Sequence, residues 1–198
     1  MNNFNKSFNI NFFLFLFFYS LFGLNLVSKS QDYYGDYKSH RYFKYADQIS
    51  AKIMNLVDNS KNFIYVPKEN TPYCKKENIF GYVNPSTGVF GICTYTILGY
   101  GDSIEEDKFE INATIRHEAV HSAQFCKDST YFRPLGVSRD KLVGYPENQV
   151  MSYYKDLPFT EKIAEMEGFY GELNPFFVIK ALNKNCYWFI LKKLLNYY

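Results

Sequence analysis

The rhythm of hydrophobic and polar residues changes several times along this chain, and each change marks an element. The first is an unbroken apolar block, Phe12-Phe13-Leu14-Phe15-Leu16-Phe17-Phe18-Tyr19, continued by Leu21, Phe22 and Leu24. A polar start carrying Lys6 precedes it, small residues at Ser28 and Ser30 follow, and from Gln31 the chain turns strongly polar. A positive start, an apolar middle and a small-residue exit describe a secretory signal peptide over residues 1–30, with Ser30 the last residue removed. The alternative is an uncleaved anchor, since residues 10–27 are just long enough to span a bilayer.

Helical and strand periods alternate after that. A tyrosine-rich polar lead-in over 31–45 holds His40, which reads as an exposed structural histidine. Ala46, Ile49, Ile53 and Leu56 then recur at helical spacing, so the pattern predicts a helix over 45–57, broken by Asp58-Asn59-Ser60. A short strand is predicted at 63–66, ended by Pro67. Strands at 80–83 and 89–97 flank Asn84-Pro85-Ser86-Thr87-Gly88, whose Pro and Gly suit a hairpin turn. Ser103 and Glu106 have the spacing of a capping box, with Asn112 a competing cap, for a helix running to about Phe125. Pro134, Gly136, Gly144 and Pro146 make 133–158 read as a long loop. Thr160 is placed to cap a helix to Leu173, and a last amphipathic stretch over 185–195 carries Trp188, Ile190, Leu191 and Leu194.

At 198 residues the chain suits one domain, assigned to 31–198 after the signal segment. Of 22 basic residues only Lys6 and Lys29 precede Gln31, leaving 20 basic against 20 acidic groups, with no basic stripe. That balance argues against a nucleic-acid partner, which needs a concentrated cationic face. Cys74, Cys93, Cys126 and Cys186 all follow the signal segment, and an even count in an exported chain suggests two disulfides. No C-x-x-C pair exists, so a thiolate zinc knuckle is disfavoured. Cys74–Cys93 with Cys126–Cys186 is the preferred pairing, because each bond would tie neighbouring predicted elements together. Four buried free thiols are the alternative.

The chemistry concentrates in His117-Glu118-Ala119-Val120-His121. Residues four apart on a helix lie about 40° apart on one face, so both imidazoles can aim at one point. Glu118 is turned about 100° from His117, away from direct ligation but able to face a water brought to the same place. That is the pattern of a zinc hydrolase: two neutral nitrogen ligands and a carboxylate base. Five letters alone arise often by chance. Here, however, two of only three histidines fall in one turn, and Ile111, Ile115, Ala119 and Ala123 make a core-facing stripe on the same helix.

A third ligand is sought among Glu161, Glu165 and Glu167 on the helix after Thr160. Glu161 sits in the first turn, where the helix dipole alone favours a negative charge. Glu165 lies a turn deeper, beside Ala164 and Gly168, small residues that permit close approach to the histidine helix. Glu167 points to nearly the opposite side, either to solvent or to a hydrogen bond with a ligand histidine. Glu165 ranks first, then Glu161, then Glu167.

Arg-His-Glu-Ala-Val-His followed by Glu165-Met166-Glu167-Gly168 resembles the zincin metallopeptidases of the glutamate-ligand class, the gluzincins. These pair H-E-x-x-H on one helix with an E-x-E-A-like or E-x-x-x-D-like pattern on a second. The resemblance implies that His117, His121 and Glu165 bind Zn2+ and that Glu118 is the general base in peptide-bond hydrolysis of a protein or peptide substrate. Gly168 departs from the pattern, which often has Ala there. Metzincins need a further histidine after His121, and none exists. An α+β fold is implied, with a small antiparallel or mixed sheet on the active-site helix and a helical C-terminal part. The sheet's edge strand would pair with extended substrate, a part the 89–97 strand could play. Tyr145, Tyr153, Tyr154 and Arg133 are candidate oxyanion stabilisers. An exported chain of this kind would work outside the cell or in its envelope, touching membrane only if the N-terminal segment stays. Two rival readings are a zinc-binding envelope protein without peptidase activity and an interaction domain whose histidines are satisfied in the core.

Overall fold

The computed structural model describes residues 45–60, 64–65, 74, 79–84, 89–98, 103–128 and 133–195; at 64, 65, 95 and 187–195 it describes the backbone alone. The expected signal peptide, His40 and the 85–88 turn lie outside the described residues, as do the side chains of Trp188, Ile190, Leu191 and Leu194.

Helix α1 (Gln48–Asn59) starts at Asp47, whose carboxylate accepts from the Ser50 N–H at 2.6 Å. Its inner face buries Ile53, Met54 and Val57, and it ends at Ser60. Strands β1 (Ile64–Tyr65), β2 (Gly81–Asn84) and β3 (Val89–Ile92) form a sheet in the order β1-β3-β2. β2 and β3 are antiparallel from Gly81 opposite Ile92 to Asn84 opposite Val89, as a hairpin requires, while β1 is parallel to β3.

The expected 89–97 strand is half as long as its composition suggested. The Cys93 N–H makes a last bond to the Phe80 carbonyl at 2.7 Å, and Thr94–Ile97 then winds into one helical turn, α2. That turn carries Ile97 into the core, fully buried, which a continued strand would not do. β3 is also the central strand, bonded on both sides, so the edge role expected of it is corrected: among the described residues the outer strands are β1 and β2.

Helix α3 (Ile104–Asp128) is the spine of the molecule, packing against α1, β2, β3 and the two C-terminal helices. Ser103 accepts from the Glu106 N–H at 3.2 Å, so the cap is there and not at Asn112. Asn112 is an interior tether: its Oδ1 accepts from the Asp47 N–H at 2.9 Å and its Nδ2 donates to the Tyr45 carbonyl at 3.0 Å. Ile111, Ile115, Ala119 and Ala123 are all buried, as their spacing predicts, yet so are Asn112, Thr114, Ser122 and Gln124. A helix buried on most faces in its second half carries its polar groups inward, where each needs a partner.

The expected 133–158 loop holds two helices, α4 (Arg139–Leu142) and α5 (Tyr145–Tyr153). Pro146 falls in the first turn of α5, where a missing N–H costs nothing, and Gly144 precedes it at a φ of 92°. Both residues read as breakers when they are in fact a start signal. Helix α6 (Phe159–Leu173) starts after Pro158, which occupies the cap position without a side-chain bond, so the expected cap at Thr160 is corrected: Thr160 lies inside the first turn. Helix α7 (Pro175–Leu195) begins ten residues before the expected stretch. Ile53, Phe90, Ile92, Ile115, Val120, Val178 and Leu182 join α1, the sheet, α3 and α7 in one core.

Disulfides Cys74–Cys93 and Cys126–Cys186 have the preferred pairing; the second pins the end of α3 to α7. Two such bonds point to an oxidising compartment. No helix among the described residues is long and apolar enough to cross a membrane. The architecture is α+β, mostly helical, with a small sheet packed on α3.

Candidate metal site

His117 and His121 project from the buried middle of α3 toward α6, which brings Glu165 between them. The Glu165 Oε2 lies 3.3 Å from the His117 Nε2 and 3.5 Å from the His121 Nε2. The three ligand atoms are all within 4.8 Å of one another. Glu161 is exposed and stands outside this group. Helix α6 approaches closely because Gly168 faces the His117 ring: a β-carbon there would lie 2.6 Å from Nε2. Alanine at this position, as in the resembling pattern, has no room.

Each imidazole is held from behind. The His117 Nδ1 lies 2.8 Å from the Glu172 Oε1, and the Tyr145 hydroxyl donates to the other Glu172 oxygen at 2.7 Å. A carboxylate oxygen can only accept here, so the His117 Nδ1 carries a proton. The His121 Nδ1 lies 2.8 Å from the Gln124 Oε1. The Gln124 amide nitrogen donates to the Ala164 carbonyl at 3.1 Å and to Glu167 at 3.0 Å. Both Nε2 atoms therefore turn toward Glu165. Phe169 packs edge-on against His117 at 4.7 Å between centroids, with Tyr145 and Tyr154 around it.

Burial, opposed and outweighed by Glu165 and Glu172, leaves the His117 pKa well above the ordinary histidine value. His121 is likewise raised, Glu165 overcoming burial. Burial works against the Glu165 carboxylate too, but the charge and hydrogen bonds of His121 and His117 hold its pKa well below the carboxylate range. A cation at this point replaces protons that the cluster otherwise gathers. Glu118 is buried on the neighbouring face of α3, and burial raises its pKa against the pull of His121 and His117. The Gly81 backbone of β2 lies on it: a β-carbon at Gly81 would meet the Glu118 Cγ at 2.6 Å.

The donor set could hold a metal ion. A tetrahedron with bonds of about 2.1 Å has edges of roughly 3.4 Å, close to both Glu165–histidine separations. Two imidazoles and one carboxylate are three ligands, and a tetrahedral ion held by them would have a fourth position for another group.

Sequence reasoning missed two residues of this site. Glu172 lies seven positions after Glu165, two turns along the same face of α6, and Gln124 lies three after His121 on α3; both spacings were readable. Glu167 is neither exposed nor bonded to a histidine. It is fully buried and reaches His121 only through Gln124. Among the oxyanion candidates, Tyr145 is engaged by Glu172, Arg133 pairs with Asp128, and Tyr153 is 63% exposed. The Tyr154 phenol is held above its ordinary pKa by burial and then by the charges of Glu165 and Glu118.

No curated protein and no solved structure matches the chain. A family model described as a domain of unknown function (DUF8637) matches residues 42–187, a span that contains every residue of the site, and the chain belongs to that family.

Proposed function

We propose that this protein is an exported zinc-dependent peptidase of the gluzincin kind, with His117, His121 and Glu165 as ligands and Glu118 as general base. The convergence of both Nε2 atoms on one Glu165 oxygen, with both Nδ1 atoms bonded behind, carries this reading. A site that serves only as core packing has no need to orient two imidazoles alike around a partly buried carboxylate. Zinc, when bound, supplies a Lewis acid that polarises the scissile carbonyl and acidifies water.

The chain's own residues do the rest. Glu118 takes the proton of the attacking water and passes it to the leaving amine, and its burial makes it a stronger base than an exposed carboxylate. Glu172 and Gln124 keep the imidazoles oriented. Tyr154, whose phenol feels both Glu165 and Glu118, is the group that supports the developing oxyanion. β2 supplies the substrate edge: with Phe80 and Cys93 a bonded pair, alternation turns the Gly81 and Val83 backbone groups away from β3. An extended peptide added there runs past Glu118.

Cleavage of a broad peptide library by the zinc-loaded protein, set beside Glu118→Gln, tests the reading. Cleavage by the wild type and a loss of a thousandfold or more in Glu118→Gln, on the order of a lost general base and more, supports it. Zinc uptake without cleavage of any peptide by the wild type would instead favour a non-catalytic zinc protein.

A further inference from the structure

We propose that Glu167 and Gln124 form a polarity lock that keeps His121 in its ligating tautomer, and that the lock is anchored on the backbone turn at residues 135–137. This rests on His121 being a metal ligand.

The two ligand histidines are supported by unlike groups. His117 faces the Glu172 carboxylate, which can only accept, so that one contact holds a proton on Nδ1. His121 faces an amide, and an amide has two ends. Turned over, Gln124 would present its NH2 group to Nδ1, draw the proton to Nε2 and leave the metal-facing nitrogen without a lone pair. Something must fix which end of Gln124 faces the ring.

Glu167 does so. Its carboxylate is fully buried, and no Lys or Arg is among its hydrogen-bond partners. Its Oε2 accepts from the Leu135 N–H at 2.5 Å and the Gln124 Nε2 at 3.0 Å; its Oε1 accepts from the Gly136 N–H at 2.7 Å and the Val137 N–H at 2.9 Å. Three successive amides converging on one anion make a backbone nest, and Gly136 provides the positive φ of 97° that such a turn uses. With the nest holding the carboxylate, Oε2 can only accept from Gln124. The Ala164 carbonyl, also an acceptor, takes the other amide hydrogen at 3.1 Å. Both hydrogens of the Gln124 amide are thus committed, and its oxygen is left for His121. A buried anion is costly, and a neutral residue would pack α6 as well; what the charge adds is a one-way hydrogen-bond chain from turn to amide to imidazole.

The test uses the full chain with 15N-labelled histidine. Imidazole 15N shifts of the ion-free protein, at a pH where His121 is neutral, report its tautomer, and competition titration reports zinc affinity. The wild type should show His121 protonated at Nδ1. Glu167→Gln frees the amide and should populate the Nε2-protonated form and weaken zinc binding by about 10–100-fold. Gln124→Met leaves Glu167 in its nest and should weaken zinc to a similar degree, which guards against failure of Glu167→Gln to fold. The exchange Gln124→Glu with Glu167→Gln puts an acceptor-only group next to His121 again. It should restore the tautomer and most of the zinc affinity while stability stays below wild type, because Glu167→Gln turns an NH2 group toward backbone N–H donors; a merely structural role would not give that separation. Wild-type affinity in Gln124→Met, an unchanged tautomer in Glu167→Gln, or an exchange that restores neither, would overturn the lock. A tautomer that switches as expected in Glu167→Gln, together with no zinc uptake by the wild type, overturns the metal reading and leaves the lock standing.

Discussion

Gly168→Ala adds one methyl group where α6 presses on the His117 imidazole, a ligand in the proposed site. An ideal β-carbon at 168 would lie 2.6 Å from the His117 Nε2, 2.7 Å from Cε1 and 2.9 Å from Cδ2. The ring has little room to retreat, with Nδ1 bonded to Glu172 at 2.8 Å and Phe169 and His121 packed at 4.7 and 4.9 Å between centroids. In a helix interior alanine is favoured over glycine by about 1 kcal/mol. Against that, an overpacked methyl costs about 1–3 kcal/mol. If the ring yields instead, a hydrogen bond to a carboxylate worth about 1.5–3 kcal/mol is strained or lost. Taking the middle of either range, the net loss is about 1 kcal/mol. Zinc affinity should fall more visibly than stability, because the displaced atom is the ligand nitrogen. Urea unfolding of ion-free protein and a zinc competition titration measure the two effects. Gly171→Ala is the matched control: its β-carbon would meet the Val120 Cγ2 at 2.5 Å and the Val178 Cγ2 at 3.2 Å, so it should lose stability while keeping zinc. A Gly168→Ala protein that is about 1 kcal/mol more stable with undiminished zinc affinity would refute the reasoning, leaving propensity as the only effect.

Three further outcomes are expected. Replacing Cys126 and Cys186 by serine opens a closure spanning 60 residues, for which chain entropy gives about 4 kcal/mol, read as a lower urea midpoint; an unchanged midpoint would contradict it. His117 and His121 have pKa values raised above 6.5, so the stability they contribute is complete below pH 6.5 and is lost as pH rises through the raised values. Tm of the ion-free protein should therefore fall on the alkaline side of pH 6.5, zinc should remove that fall, and a rise in ion-free Tm over the same range would count against the cluster. Asp47→Ala removes the α1 cap and the partner of Arg116, costing about 1–2 kcal/mol by denaturant unfolding with zinc affinity unchanged.

The histidine helix was legible because its two signals agreed: an apolar stripe at 111, 115, 119 and 123 and paired histidines one turn apart. Glu165 followed from the small residues beside it, and Gly168, read as a departure, proves to be what the close approach of α6 requires. The strand at 89–97 misled because Thr94, Tyr95, Thr96 and Ile97 favour strands by composition, whereas burial of Ile97 and the ties at Cys93 wind them into a turn. The 133–158 segment misled in the opposite sense, since Pro146 and Gly144 interrupt a pattern in sequence but start a helix in space. The part Glu167 plays was hidden for a different reason. It depends on backbone N–H groups 30 or more positions away, and no side-chain pattern records where a main-chain amide points.

Zinc content after exhaustive dialysis, measured for the wild type, Glu165→Ala and Glu118→Gln, tests the central claim most directly. In the proposed site Glu165 is the anionic ligand, whereas Glu118, about 100° round the helix from His117, serves as the base. About one zinc per chain should remain in the wild type and in Glu118→Gln, and little or none in Glu165→Ala. A wild type that dialyses free of zinc, or a Glu165→Ala protein that keeps its full complement, would contradict the account.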